Sequence, residues 1–226
     1  MKIGIHQPQY LPWIHYFEKI QKCDIFILLD NVNYQKNGLQ NRNQIKGING
    51  KKWLTIPVEH KLGQKINHTK VVNNTDWKKK HLLTLDQFYN NSNYYKYYRS
   101  DLIEIYEKDW IFLNDINCNF ISKIMNWLNI TTPIYKSSKL NLEGSSTDLI
   151  IKICKEFNAD HYISGLGAKN YLNEDKFREH DIKLIYLENK TVKAYKQLYS
   201  ESGFFNDLSS LDIIFNCGKE WKNFLI

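Results

Sequence analysis

Three polar side chains lie where two short apolar segments end, at positions suited to chemistry. His6 and Gln7 close the segment at residues 2–6, and Asp30 closes the segment at residues 24–30. An imidazole is the usual general base near neutral pH, and a carboxylate can orient an amine or a sugar hydroxyl. The structural alternatives are a His6 that only hydrogen-bonds the following loop and an Asp30 that caps its own.

A polar stretch at residues 31–43 ends in a second group of candidates. Asn41, Arg42 and Asn43 place a guanidinium between two amides, which suits bidentate binding of phosphate or carboxylate. Lys46 follows as a further cationic candidate. The polar composition predicts a loop here, and a lone arginine in a polar loop is usually solvated.

The connection after His6 contains two prolines, Pro8 and Pro12, which stiffen the chain. A helix is predicted after Pro12, and the free N–H groups of a first helical turn favour anions. Tyr10, Trp13 and His15 are therefore substrate-binding candidates. A rigid connection with Trp13 in the core is the alternative.

Two glycines follow a strand predicted at residues 161–164. Ser164, Gly165, Gly167 and Lys169 form a short segment in which the backbone can approach a ligand closely. The spacing matches neither a Walker motif nor a full GxGxxG, so it does not specify a nucleotide. A simple tight turn is the alternative.

The segments that must position these residues alternate between strand and helix at both ends of the chain. A helix follows Pro12 between the first two strands, and the later pattern is helix, strand, helix and strand at residues 148–157, 161–164, 174–180 and 182–187. This rhythm predicts an α/β fold with a parallel-type sheet and flanking helices. The carboxyl ends of parallel strands face one crevice, where such folds bind ligands.

The middle of the chain predicts a helical subdomain. Strands are predicted at residues 52–58 and 65–72, and helices at residues 77–89, 100–106 and 112–128. We therefore expect one domain over residues 1–226, with a largely helical insertion at about residues 75–130. His81 lies on the first of these helices and is a further polar candidate. The apolar tail at residues 204–225 is predicted to pack across the body.

Composition bounds the classes of partner. The net charge of +7 and pI near 9.0 favour a polyanionic ligand, but no basic block is long enough for a nucleic-acid arm. The four cysteines are scattered, and no His or Cys spacing predicts a metal site. No signal peptide or membrane-spanning run is visible, so we expect a cytoplasmic protein. The oligomeric state stays open, a homo-oligomer included.

Several motifs resemble the signature of the WbqC-like protein family. They are IHQPQYLPWIHYFEKI, DIFILLDNVNYQ, NRNQIK, WLTIPV, HYISGLGAKNYL and FFNDLSSLDIIFNCG, and together they span nearly the whole chain. His15 departs from the pattern, where the family is expected to have glycine. It either narrows the space over the helix start or adds a polar group there.

The resemblance implies a bacterial enzyme of O-antigen, lipopolysaccharide or other surface-polysaccharide biosynthesis, with a nucleotide-linked sugar as substrate class. The leading interpretation is transfer of an acyl or aminoacyl group to the amine of a nucleotide-linked aminosugar. His6 would deprotonate the amine, Asp30 would orient it, and Arg42 with Lys46 would hold the pyrophosphate. The donor would be a carrier thioester, with an acyl carrier protein as candidate partner, and the need for a metal or ATP stays open.

Two alternatives are carried forward. The strand, proline turn, helix and strand at the start of the chain resemble the opening of HxGH-type nucleotidyltransferases, which use ATP and Mg²⁺, although the motif histidines are replaced here by LPWIHY. A non-enzymatic basic binding protein of the polysaccharide machinery is the other.

Overall fold

A computed structural model describes residues 1–188 and 191–225 of the chain. Within these residues, nine strands and seven α-helices follow one another in the order β1 Lys2–His6, α1 Ile14–Gln21, β2 Ile25–Leu28, β3 Arg42–Gly47, β4 Gly50–Thr55, β5 Val58–Glu59, β6 Lys70–Val71, α2 Trp77–Tyr89, α3 Tyr95–Glu107, α4 Leu113–Trp127, β7 Ile134–Lys136, α5 Ser146–Glu156, β8 His161–Gly165, α6 Glu174–Glu179, β9 Lys183–Leu187 and α7 Ser210–Cys217.

The chain forms two compact units. The sheet unit comprises Met1–Pro8, His15–Val32 and Ile130–Asn189, and the helical unit comprises Gln9–Ile14, Asn33–Asn129 and Lys190–Ile226. The helices expected for the insertion, α2 to α4, lie in the helical unit together with β3 to β6 and α7. The grouping of both units into one domain stays a prediction.

The sheet unit is a five-stranded parallel sheet in the order β7-β2-β1-β8-β9. The α/β fold with a parallel sheet is therefore confirmed. One face carries Phe26, against which Tyr16 of α1 packs with ring centroids 5.7 Å apart. The opposite face carries Ile3 and Ile5, which share a buried cluster with Ile150 of α5. Helices thus cover both faces, as the alternation of strands and helices predicts.

The helical unit holds α2 to α4 and two short antiparallel hairpins, β3–β4 and β5–β6. The prediction that the polar loop extends to residue 43 is wrong at the end of the loop, because β3 begins at Arg42. A predicted strand at residues 65–72 is reduced to the two residues of β6, preceded by a 3₁₀ turn at Ile66–His68. β3 gave no apolar alternation because its buried positions include Asn43 and Lys46.

Within the described part of the chain, every helix is too short or too polar to cross a membrane.

Candidate functional site

The sheet unit has a topological switch point between β1 and β8. From β1 the sheet continues through β2 to β7 on one side, and through β8 to β9 on the other. Ligands of open α/β sheets bind outside the carboxyl ends of the strands at such a point. His6 ends β1 and Gly165 ends β8, so two of the predicted residues border it.

The two strands separate at this edge. Their pairing stops at Gly4 opposite Ile163, whereas β1 and β2 stay paired up to His6 opposite Leu28. The next bond of the ladder would join the Gly165 amide to the Ile5 carbonyl, and it is not formed. The ends of β1 and β8 beyond Gly4 and Ile163 are therefore not paired with each other, and we call this unpaired end of the ladder the gap.

The buried Lys19 side chain donates a hydrogen bond to the Ile5 carbonyl, which has no strand partner in β8. Lys19 Nζ donates to Ile5 O at 2.8 Å, and the faces of Phe26 and Tyr162 lie 5.9 and 6.0 Å from it. The residue is only 5% exposed, and burial lowers the pKa of its ammonium to about 8. The Gly165 amide has no hydrogen-bond partner within residues 1–188 and 191–225.

The sequence of α1 explains how the ammonium comes to lie there. Tyr16, Ile20 and Cys23 form the buried stripe of this segment at helical spacing. Lys19 interrupts the stripe on the same side, three residues after Tyr16 and four before Cys23. Sequence reasoning missed it as a site residue, although a charge inside an apolar stripe was the available signal.

His6 is half-buried, and one of its two ring nitrogens forms a hydrogen bond. Its Nδ1 donates to the Gln7 carbonyl at 3.0 Å, because a carbonyl can only accept, and the Tyr16 ring packs edge-on at 4.9 Å. The neutral tautomer therefore carries its lone pair on Nε2. Burial, and secondly the charge of Lys19, lower the His6 pKa to about 4, so the imidazole is neutral at physiological pH.

The glycines after β8 are not required by the packing around them. A Cβ added at Gly165 or Gly167 would meet no atom within 4 Å, and Gly165 has a φ of −80°, which any residue adopts. At Gly4, in contrast, a Cβ would clash with Cys23 and Phe26. Open space therefore lies beside Gly165, on the side of the sheet that His6 shares by register.

Two neighbouring candidates lie on the same edge in different settings. Ser164 is buried, and its side chain makes a long 3.5 Å contact to the Gly165 carbonyl and interacts with the Tyr162 hydroxyl. Lys169 is exposed, with Nζ 4.9 Å from the centre of the Tyr186 ring at the end of β9. Lys169 can therefore contribute positive charge at the edge, while Ser164 is part of the interior.

Asp30 is fully buried and bonded to the start of the segment after β7. Its carboxylate accepts from Ser137 Oγ at 3.1 Å, from the Ser138 amide at 2.9 Å and from Ser138 Oγ at 2.7 Å. These bonds join the ends of β2 and β7. A role of Asp30 in orienting an amine stays a prediction, and it would have to compete with these donors.

His15, on the first turn of α1, is engaged by an acidic neighbour. Its Nδ1 lies 2.9 Å from Glu18 Oε2, and Glu18 also pairs with Lys22 at 2.7 Å. Burial alone would raise the pKa of Glu18, but the hydrogen bonds from His15 and Lys22 lower it to about 2. Binding of substrate by His15 stays a prediction.

Three of the predicted binding residues lie in the helical unit, Tyr10 and Trp13 in the connection between β1 and α1 and His81 on α2. Tyr10 is buried, with its hydroxyl 2.9 Å from His81 Nδ1 and bonded also to the Tyr106 hydroxyl. His81 is 6% exposed, and burial lowers its pKa to about 4. Trp13 is 40% exposed and pairs through its backbone with Ser209. The Tyr10 and His81 side chains are thus part of the core.

The three side chains of Asn41–Arg42–Asn43 lie in different surroundings. Asn41 and Asn43 are buried and donate to the carbonyls of Ile56 and Leu11 at 2.8 and 2.7 Å. The Arg42 guanidinium stacks on the Trp53 ring at 4.4 Å and donates to a backbone carbonyl. Of the three, Arg42 is the side chain placed to reach a ligand.

Lys46 is completely buried. Its ammonium donates to the Gly203 carbonyl, lies 3.5 Å from Gln197 Oε1 and 4.5 Å from the centre of the Phe205 ring. Gln197 in turn donates to the buried Asp212 at 2.9 Å. Binding of a pyrophosphate by Lys46 stays a prediction, and it would require Gly203 and Phe205 to move.

In the part of the chain that the structure describes, no group of three His, Cys, Asp or Glu side chains could hold a metal ion.

Comparison with known proteins finds similarity along nearly the full length of the chain. The family model described as "WbqC-like protein family" matches residues 7–223. "Uncharacterized protein Rv1507c" of Mycobacterium tuberculosis is 33% identical over 227 residues, covering 99% of this chain and 97% of that protein. No solved structure matches. The motifs, the matched range and this relative agree: the chain belongs to the WbqC-like protein family.

Proposed function

We propose that this protein transfers an acyl or aminoacyl group from a carrier thioester to the amine of a nucleotide-linked aminosugar. The reacting groups would meet at the gap between the carboxyl ends of β1 and β8. One observation carries the proposal. The His6 imidazole is neutral, and its Nε2 lone pair has no partner among residues 1–188 and 191–225. It borders a gap that also contains the Gly165 amide, unpaired in the same residues, and the buried ammonium of Lys19.

These groups match the needs of acyl transfer. The amine attacks the thioester carbonyl, a C–N bond forms, and the carbonyl oxygen becomes an oxyanion. The Gly165 amide is a donor for that oxyanion, and the positive charge of the buried Lys19 adds to its stabilisation. Removal of an oxyanion donor typically costs about 10²- to 10³-fold in rate.

His6 handles the proton in this scheme. Nε2 takes the proton that the attacking nitrogen loses, and the C–S bond then breaks to release the carrier thiolate. The imidazolium returns the proton to that sulfur, so atoms and charges balance. A pKa near 4 makes His6 a weak base towards a free ammonium. It is better matched to the more acidic nitrogen of the tetrahedral adduct.

The family membership supports the substrate class through the association of its members with surface polysaccharides. Within the helical unit, Arg42, whose partly buried guanidinium stacks on Trp53, stays a candidate for binding a phosphate group. We place the reaction in the cytoplasm, where nucleotide-linked sugars are made.

The test is a turnover assay on the full chain. Nucleotide-linked aminosugars are incubated with acyl and aminoacyl thioesters, and the N-acylated product is measured by mass spectrometry. His6→Gln should lower the rate by about 10²-fold or more, while His180→Gln, at an exposed histidine, should leave it unchanged.

Two results would contradict the proposal. Product formation that requires ATP and Mg²⁺ in place of a thioester would favour nucleotidyl transfer. Nucleotide-sugar binding without any product, seen as a thermal shift alone, would favour the non-enzymatic binding protein.

A further inference from the structure

In the β3–β4 hairpin of the helical unit, the outer edge of β4 is covered by no other strand of the described residues. Gln44 O accepts from Ser209 and the Lys46 amide donates to Tyr89, so these groups of β3 point away from β4. The intervening residues of β3 pair with Lys52 and Leu54. By the alternation of an antiparallel ladder, the backbone groups at positions 51 and 53 of β4 point outward.

These outward groups are unpaired. Neither the N–H nor the C=O of Lys51 or of Trp53 has a hydrogen-bond partner among the residues that the structure describes. The next outward residue, Thr55, interacts through its backbone with His81. The open edge is therefore bounded at one end by α2.

A groove of about 510 Å³ runs beside this edge, between β4 and α2. A smaller hollow of about 360 Å³ adjoins it at the hairpin turn and shares Lys52 and Gln87 with it. Six residues of β4 extend about 20 Å, and thirteen residues of α2 also span about 20 Å. The two elements therefore border the groove over the length of a five- or six-residue extended peptide.

The residues that line the groove indicate what kind of ligand it can bind. Lys52 and Lys80 line the groove without a carboxylate partner in the described chain, and no Asp or Glu lines either hollow. Trp53 and Leu83 line it as well and are 42% and 56% exposed. Trp77 also lines the groove. It is 4% exposed, and its indole N–H lacks an acceptor among the described residues.

We propose that the groove binds an acidic, extended peptide segment of a partner protein, which adds as a strand to the open edge of β4. Strand addition between a sheet edge and a helix is a recurring mode of peptide recognition, in which the backbone bonds give affinity and the side-chain pockets give specificity. Alternate acidic side chains would meet Lys52 and Lys80. Lysines on an edge strand also discourage pairing with a second copy of the same edge, which leaves an acidic strand as the complement.

The first measurement uses fluorescein-labelled hexapeptides with Glu at alternate positions and a mixture of apolar residues between them. We expect binding by fluorescence anisotropy. We also expect slower hydrogen exchange at the amides of Lys51 and Trp53, because strand addition pairs these two groups. Peptides methylated on alternate backbone nitrogens should bind at least about tenfold more weakly, since the ladder is lost.

Charge reversal on one helix supplies a matched pair of variants. Lys80→Glu should weaken binding about tenfold or more, whereas Lys79→Glu, exposed on α2 but outside the groove lining, should change it less than about twofold. Both variants should melt at the temperature of the unmodified protein.

Any of three outcomes in the peptide experiments would overturn the proposal. They are a pool in which no peptide binds, binding that is insensitive to backbone methylation, and equal losses in Lys79→Glu and Lys80→Glu. Tighter binding of oligodeoxythymidylate than of any peptide would also overturn it and would make the groove a nucleic-acid site.

Discussion

At the scale of single residues, the positive charge of Lys19 contributes to the low pKa of His6. Burial is the first cause of the low pKa of His6, and Lys19 is the second. We expect Lys19→Met to raise the pKa of His6 above about 4 while it stays below 6.5, because the burial remains. The pKa is read from the pH dependence of the His6 ring proton shifts by NMR.

Lys22→Met is the matched control on the same helix. Lys22 is exposed and pairs with Glu18, so its removal should leave the His6 titration unchanged. An unchanged His6 pKa in Lys19→Met would show that the ammonium has no influence on the imidazole.

Gly165 offers a second test at this scale. Gly165→Ala should alter the free energy of unfolding by less than about 0.5 kcal/mol, since its Cβ enters open space. The same methyl group should hinder a nucleotide-linked aminosugar in the gap, which isothermal titration calorimetry would detect as weaker binding. Gly4→Ala, whose Cβ would overlap Cys23, should instead destabilise the fold by about 1–3 kcal/mol. Unchanged binding in Gly165→Ala would remove the gap from the site.

At the scale of elements, the buried Asp30 joins the end of β2 to the end of β7. Asp30→Ala should lower the free energy of unfolding by about 2 kcal/mol, because the Ser138 amide and hydroxyl lose their acceptor, whereas the Ser137 hydroxyl keeps Asn31 Oδ1 at 2.7 Å. Ser138→Ala, which removes one of those donors, should cost about 1 kcal/mol. Urea unfolding gives both values, and a near-neutral Asp30→Ala would instead favour a functional role for this carboxylate.

The open edge of β4 belongs to the same scale. The β3–β4 hairpin buries Ile45 and Leu54 and keeps Trp53 exposed, so its ladder and its free edge are separate features of one element. A peptide can therefore add to the edge without disturbing the packing that holds the hairpin.

At the scale of the whole molecule, buried neutral histidines make stability depend on pH. Unfolded His81 protonates near 6.5, whereas burial lowers its folded pKa to about 4. Between these values the unfolded state binds more protons, so the contribution is fully present above pH 6.5 and is lost as pH falls. His6 adds a second term of the same sign.

We therefore expect the free energy of unfolding to fall between pH 6.5 and 4.5, by at most about 1.4 kcal/mol per pH unit for each histidine. His81→Gln should make this fall shallower, as measured by urea unfolding across the pH range. An identical slope in the variant would show that His81 is not protonated on unfolding in this range.

Much of the sheet unit could be predicted from its sequence. Short apolar strands alternate with helices that have a buried stripe, and that pattern by itself determined the α/β class and the parallel pairing. Strand β3 was not predicted, because Asn43 and Lys46 occupy buried positions and the two-residue apolar period is therefore missing. Periodicity reports hydrophobic burial and is silent where a polar side chain is buried with its partners.

The candidate site shows the same division. The sequence by itself determined that His6 and Gly165 end strands of a parallel sheet, which was enough to nominate them. Only the tertiary structure decided that β1 and β8 are neighbours that separate after Gly4 and Ile163, and that Lys19 takes the Ile5 carbonyl there. Strand order and the burial of a charge depend on contacts between residues far apart in the chain, and local propensity carries no information about such contacts.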